Sequence, residues 1–207
     1  MIIKVRNSEK TRKDILAAAE IEFSDKGLHG ARVDQIASRA NINKRMIYEY
    51  YGSKEGLYKS VFIEVYGRIG KLEVDLLTED LPADEVIRNI LSFYFEYLHN
   101  NPAYVNLLLW ENLNQGKYIE DVDLTALRHD AFDKLRDVIN KGKLDGIFRK
   151  EIDVEQTIFS MITYTFSYFS NRYTMSRLTG FNLGDETIEK QRLEYVTEMF
   201  MIYLLAK

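Results

Sequence analysis

Cysteine is absent from the 207-residue chain, which excludes a disulfide framework, a thiolate metal site and a thiol nucleophile. Only two prolines occur, Pro82 and Pro102, so long helices can run uninterrupted elsewhere. No apolar run approaches the ~20 residues needed to span a bilayer. Met1 to Lys13 are mostly polar and charged, without the apolar stretch of a signal peptide, so a cytoplasmic protein is expected. The three histidines, His29, His99 and His129, form no i, i+4 ligand pair. There is no phosphate-binding Gly-rich loop and no nucleophile elbow. The acidic run Glu120, Asp121, Asp123 reads as a solvated loop. No enzyme, no metal and no cofactor is therefore expected.

What is present is a globular composition, 46% hydrophobic and 29% charged, long enough to bury a core. The formal net charge is −4. It is unevenly spread: residues 1–52 balance to +3 and residues 53–207 to −7. A mildly basic head on an acidic body supports a polyanionic partner for the head.

Helical periodicity dominates, and no alternating strand pattern competes with it. Ile15, Ala18, Ala19 and Phe23 make one apolar stripe, with Ser8 or Thr11 placed to cap its start and Gly27 placed to end it. Val33, Ile36, Ala37 and Ala40 make a short second helix. Asn41-Ile42-Asn43 reads as a tight turn with Ile42 inward, because Asn tolerates left-handed backbone. Lys44 to Tyr51 makes a third helix with Ile47 and Tyr51 inside, closed by Gly52. Ser53 caps a fourth, longer helix that contains Gly67 and Gly70. Five more helices are expected at about 83–100, 103–115, 124–142, 154–177 and 185–206.

Two short helices joined by a three-residue turn suit a DNA-binding helix-turn-helix. The outer positions of the third helix are Lys44, Arg45, Met46, Tyr48, Glu49 and Tyr50. Lys and Arg neutralise phosphates or read guanine edges, and a Tyr hydroxyl can hydrogen-bond a phosphate oxygen. Lys54, in the first turn of the fourth helix, is a second phosphate candidate. Taken alone, such a helix also describes a plain solvated face. The order of features decides between the two. Ile36-Ala37, Ala40, Asn41-Ile42-Asn43, Ile47-Tyr48-Glu49-Tyr50-Tyr51 and Ser53-Lys54-Glu55-Gly56-Leu57 follow one another, after Thr11, Ile15, Ala19, Phe23 and Gly27. This string resembles the TetR family of regulators over roughly residues 8–60.

The resemblance implies an all-α, nine-helix homodimer. Its helix-turn-helix head (1–52) would bind a palindromic DNA operator, and its body (53–207) would bind an effector and dimerise. The fourth helix, about 53–79, would link the two, and the last two helices would pair with their mates. A small-molecule inducer would release the operator. Position by position, the implied DNA contacts are Arg32, Asn43, Lys44, Arg45, Met46, Tyr48, Glu49, Tyr50 and Lys54. Arg32 stands where the family often has a capping Thr, and Asn41 where it often has Gly. A small residue is common where Arg45 stands, which points to an unusual operator.

The body carries its own signals. On the last helix Leu193, Val196, Phe200 and Tyr203 form one apolar stripe and Ile188, Tyr195, Met199 and Ile202 a second. A helix apolar on two sides needs two partners, so the second stripe is assigned to a dimer interface. The nearly charge-free stretch Gln156 to Met175 is expected to be buried. Candidate effector-pocket residues are Tyr104, Trp110, Tyr164, Phe166, Tyr168, Phe169, Asn171 and Arg172, for an aromatic or amphipathic ligand. Arg172 pairs with a carboxylate such as Glu111 or receives an anionic ligand. An aromatic stripe is most often plain core, but fourteen tyrosines raise the weight of a pocket. The alternative function is a helical small-molecule-binding protein without DNA activity, and the 36–57 string is what separates the two readings.

Overall fold

The computed structural model describes residues 8–78 and 81–206. The outermost ends of the expected ranges, residues 1–7, 79 and 207, lie outside the described residues. Ten α-helices are present among them: α1 Ser8–Gly30, α2 Val33–Arg39, α3 Lys44–Tyr51, α4 Lys54–Leu77, α5 Ala83–Asn100, α6 Pro102–Leu113, α7 Leu124–Leu144, α8 Val154–Ser170, α9 Arg172–Thr179 and α10 Glu186–Leu204. The β pairing found there is a single antiparallel bridge, Phe148 to Leu205. The all-α class expected from periodicity is found, with one helix more than nine.

The extra helix comes from a break where one helix over 154–177 was expected. Asn171 leaves helical geometry (φ −109°, ψ 6°) between α8 and α9. Its side-chain amide donates to the Ser167 carbonyl (3.1 Å) and to Ser170 Oγ (2.9 Å). A short amide side chain that bonds the preceding turn offers the backbone an alternative to the helical ladder.

The chain forms two compact units. One holds residues 8–68 and 103–127, the other residues 69–102 and 128–206. In the first, the expected stripe of α1 is core: Ile15, Ala19 and Phe23 are fully buried, with Ile36 of α2, Ile47 of α3 and Leu57, Tyr58 and Phe62 of α4. Burying each such side chain contributes about 1.5–3 kcal/mol. Helix α1 is broken at Gly27, whose φ of +64° belongs to the left-handed region. A Cβ there would also lie 2.8 Å from the Trp110 indole, so both backbone and space require glycine.

The second unit has its own core, in which Ile87, Ile90 and Leu91 of α5 meet Leu135 and Ile139 of α7, Met161 of α8 and Val196, Phe200 and Leu204 of α10. Phe148 is buried in the same core. Glu73 of α4 and Arg128 of α7 form a buried ion pair in this unit.

The expectation that the charge-poor α8 is wholly buried needs correction. Thr157, Ile158, Met161, Thr165, Tyr168 and Phe169 are buried, but Phe159 and Tyr164 are 63% and 43% exposed. The helix is apolar on two faces, and only one meets the core of its own chain.

Candidate DNA interface and effector region

The turn between α2 and α3 is built as its sequence dictates. Asn41 takes a left-handed φ of 51°. Asn43 adopts extended backbone and caps α3, its Oδ1 accepting from the Arg45 N–H at 2.9 Å. Gly52 closes α3 with φ 74°. Ser53 Oγ then accepts from the Gly56 N–H at 3.0 Å in the first turn of α4. Gly56 itself sits so close to the end of α3 that a Cβ would lie 2.2 Å from the Tyr51 carbonyl oxygen. Ile47 is fully buried and pins the inner face of α3.

That anchoring turns the other side of α3 outward. Lys44, Arg45, Tyr48 and Glu49 are exposed, Met46 and Tyr50 half-buried, and Arg32 and Asn43 exposed beside them. Lys44 Nζ pairs with Asp34 Oδ1 at 2.9 Å, and this hydrogen bond holds its ammonium above the ordinary lysine range. Arg45 Nε pairs with Glu49 Oε1 at 2.8 Å across one helical turn. Both pairs are solvent-exposed, so water screens them and a phosphate can replace either carboxylate. Arg32 enters α2 in extended backbone without a side-chain cap, as its chemistry requires. Its backbone N–H donates to the buried Glu22 at 3.1 Å, and the residue as a whole is exposed. Lys54 is half-buried and donates to the His29 carbonyl at 3.3 Å.

One basic residue of this face was not among the expected contacts. Arg12 of α1 is exposed and lies over the Tyr50 ring at 4.7 Å, while the Tyr51 hydroxyl donates to its carbonyl at 3.2 Å. The signal was the basic cluster Lys10, Arg12, Lys13 at the start of the chain. Its nearness to α3 depends on tertiary packing, which the sequence spacing does not reveal.

Within the same unit, α6 is fastened to α1 and α4. The Trp110 indole N–H donates to the Ser24 carbonyl at 3.1 Å. Glu111 is buried and accepts from the Tyr58 hydroxyl (3.0 Å) and from the Tyr118 backbone N–H (2.7 Å). Burial, then the Glu111 charge, pushes the Tyr58 hydroxyl up, so it remains a donor. Tyr118 in turn meets His29 at 2.5 Å, at the end of α1. The acidic run joins this unit through Asp121, which pairs with Lys59 at 2.6 Å.

The eight candidate pocket residues are divided between the two units. Tyr104 stacks edge-on with Tyr66 and, with Trp110, belongs to the first unit. The other six belong to the second. There Phe169 and Tyr168 pack on Phe95, with ring centres 5.6 and 5.7 Å away. The Tyr168 hydroxyl donates to the Leu183 carbonyl (2.9 Å), and burial pushes its pKa up to about 12. Tyr164 and Tyr168 share an open groove of about 470 Å³ with Met175, Phe181, Ile188 and Tyr195. Arg172 lines a neighbouring depression and donates to the Tyr173 hydroxyl at 2.9 Å. Both oxygens of Glu111 are engaged by Tyr58 and Tyr118. Phe166 is half-buried, and Asn171 is the helix breaker described above. On α10 the first stripe is largely core, with Val196 and Phe200 buried, although Tyr203 is 45% exposed. The second stripe keeps Tyr195 and Ile202 at 62% and 73% exposure and Ile188 and Met199 half-buried.

Residues 15–61 match the family described as bacterial regulatory proteins, tetR family, and residues 83–200 match the tetracyclin repressor-like, C-terminal domain. The chain is 31% identical over 198 residues to the HTH-type transcriptional repressor NicS of Pseudomonas putida, covering 95% of this chain and 93% of that protein. It is 28% identical over 193 residues to the HTH-type transcriptional regulator RutR of Escherichia coli, covering 92% and 88%. The crystal structure of the transcriptional regulator FadR from Bacillus subtilis in complex with stearoyl-CoA has the same fold, with a TM-score of 0.68 and 20% identity over 89% of this chain and 97% of that one. The chain belongs to the tetR family of bacterial regulatory proteins.

Proposed function

We propose that this protein is a ligand-responsive transcriptional repressor that binds a palindromic operator as a homodimer and is released by a small-molecule inducer. The observation that carries the reading is the pair α2 and α3, in which buried Ile47 holds Lys44, Arg45, Tyr48 and Glu49 toward solvent. Residues 1–52 are the DNA-binding part, 53–207 the effector and dimerisation part, and α4 the link. Lys44, Arg45, Glu49 and Met46 face base edges. Arg32, Asn43, Tyr48, Tyr50 and Lys54 serve the phosphate backbone, and we add Arg12 to that group. Such a protein works in the cytoplasm, where its operator is. The exposed faces of α8 and α10, with Phe159, Tyr195 and Ile202, pair with a second copy. The effector, an aromatic or amphipathic small molecule, is assigned to the groove at Tyr164 and Tyr168, with Arg172 in the depression beside it. Induction then requires the effector to prefer the state whose heads no longer fit the operator.

A mobility-shift titration on DNA upstream of the gene, at two salt concentrations, tests the assignment. Affinity is expected to fall steeply with salt, with a log–log slope of about −0.9 per neutralised phosphate. Tyr48→Phe and Lys54→Ala weaken binding to all sequences alike, and Lys54→Ala lowers the salt slope by about one. Lys44→Ala and Arg45→Ala change sequence preference, with about 1–3 kcal/mol lost at the base each reads. Wild-type operator binding by all four variants would refute the interface.

A further inference from the structure

From Gln156 to Gly184 the chain carries two arginines, Arg172 and Arg177, and no carboxylate. The surrounding body is acidic, with residues 53–207 balancing to −7. Both arginines line one open depression of about 670 Å³, together with Ser176, Phe181 and Asn182, and no carboxylate lines it. Phe181 also lines the groove of about 470 Å³ at Tyr164 and Tyr168, so the two concavities share a wall. The charged residue lining that groove is Arg192, again with no carboxylate beside it. Three arginines thus face the connected space, and none of them has an ion-pair partner among the described residues.

The next carboxylates along the chain are committed elsewhere. Asp185 Oδ1 caps α10, accepting from the Thr187 N–H at 2.8 Å and the Ile188 N–H at 3.4 Å. Glu189 pairs with His99 at 2.9 Å, and Glu186 lines a separate depression with that pair. Arg172 is half-buried and is held in place from within α9. Its guanidinium lies over the Tyr173 ring at 4.9 Å and donates to the Tyr173 hydroxyl at 2.9 Å. The ring orients the planar fork, and the hydroxyl takes one of its N–H donors. Arginines gathered in a concavity without a counter-ion repel one another. An oxyanion that accepts their N–H donors in pairs removes that repulsion, and the concave wall strengthens the attraction.

We infer that the effector is an amphipathic organic anion: its apolar body lies in the groove at Tyr164 and Tyr168, and its carboxylate or phosphate monoester reaches past Phe181 to Arg172 and Arg177. This rests on the effector site proposed above and narrows its ligand to one sign of charge. A neutral molecule of the same shape gains the apolar contacts but leaves the arginines uncompensated, so charge discriminates between the two.

Isothermal titration calorimetry on the full-length chain tests the sign. The anionic probes are decanoate, decyl phosphate and 4-phenylbutyrate, and the neutral ones are decanamide and 4-phenylbutyramide. At least one anion is expected to bind about tenfold or more tighter than its amide, the range of hydrogen bonds to a charged group. Decanoate against decyl phosphate tells which oxyanion the site prefers. Arg172→Gln and Arg177→Gln are each expected to weaken that anion about tenfold and to leave the amide unchanged, with circular dichroism checking that helix content is kept. Arg172→Lys keeps the charge without the fork and should recover part of the loss. Equal affinity for an anion and its amide, an anion preference that survives both Gln variants, or no binding of any anion up to about 1 mM would each overturn the inference. The same probes are then added to the protein on its operator. Release by the amides as readily as by the anions would keep the effector site and overturn its charge preference. Anion binding through both arginines with no change in operator affinity would keep the anion site and overturn its role as the effector site.

Discussion

Trp110 is an aromatic that the sequence offered as a pocket residue and that the fold uses as a fastener. Its ring lies against Gly27, where α1 breaks, and its N–H bonds the Ser24 carbonyl. The next residue, Glu111, collects the Tyr58 hydroxyl and the Tyr118 amide. Two successive residues of α6 thus hold α1 and α4, the elements that carry and follow the reading helix. Trp110→Ala is expected to cost about 3–5 kcal/mol of stability, the range for emptying an aromatic site. Trp110→Phe keeps most of the packing and loses the hydrogen bond, so its cost should be near ~1 kcal/mol. Urea denaturation of the three proteins measures both. If the ring were chiefly a ligand contact, Trp110→Ala would shift effector affinity and leave the unfolding midpoint almost unmoved. At this scale the outward direction of Lys44, Arg45, Tyr48 and Glu49 was legible, because Ile47 marks the inner face of α3. The contacts of Trp110 and Tyr104 were not, since the sequence cannot say which neighbouring groups complete an aromatic contact.

Among the elements, α4 is the one whose sequence poses a question that the structure narrows. Gly67 and Gly70 both sit inside it, and each weakens a helix interior by ~1 kcal/mol relative to Ala. Making room for a neighbour would explain such residues, but a Cβ on Gly67 would meet nothing within 4 Å. The two compact units divide α4 between Arg68 and Ile69, inside the span from Gly67 to Gly70. Both facts support a weak point that bends during induction. Gly67→Ala is then expected to raise the melting temperature by roughly 2–4 °C, as a 1 kcal/mol gain does at this size. It should also demand several-fold more effector to release the operator. Unchanged release alongside the higher melting temperature would dispose of the bending role. The other boundaries show what periodicity can reach. The helix over 44–51 was readable because the Asn43 cap and the apolar spacing agree there, and the helix over 83–100 because Pro82 and Pro102 bracket its apolar spacing. The break at Asn171 was not, because the side-chain bonds to Ser167 and Ser170 that stop α8 compete with a pattern that stays apolar on both sides.

For the whole molecule, the proposed function turns on symmetry, to which the sequence points only indirectly. A second apolar stripe on the last helix implied an external partner, and the exposed Tyr195 and Ile202 fit that need. The charge distribution adds a constraint: a head balancing to +3 and a body to −7 lead the dimer to meet DNA with its heads and keep its body away. Two identical heads joined through the body can only read two half-sites on one face of the duplex, about one helical turn or 34–36 Å apart. Inserting about 5 base pairs between the half-sites turns one of them to the opposite face. Affinity for that DNA is expected to drop to the level of a single head on nonspecific sequence, a loss of 10³-fold or more on the scale of about 10³–10⁷ separating specific from nonspecific binding. Inserting about 10 base pairs restores the face but not the distance, so binding should recover only in part, and only as far as the body permits the heads to separate. Footprinting on the three operators reads both outcomes. Equal protection of one half-site regardless of spacing would mean that the heads bind independently, and a regulator working through head spacing could not be built from such a dimer.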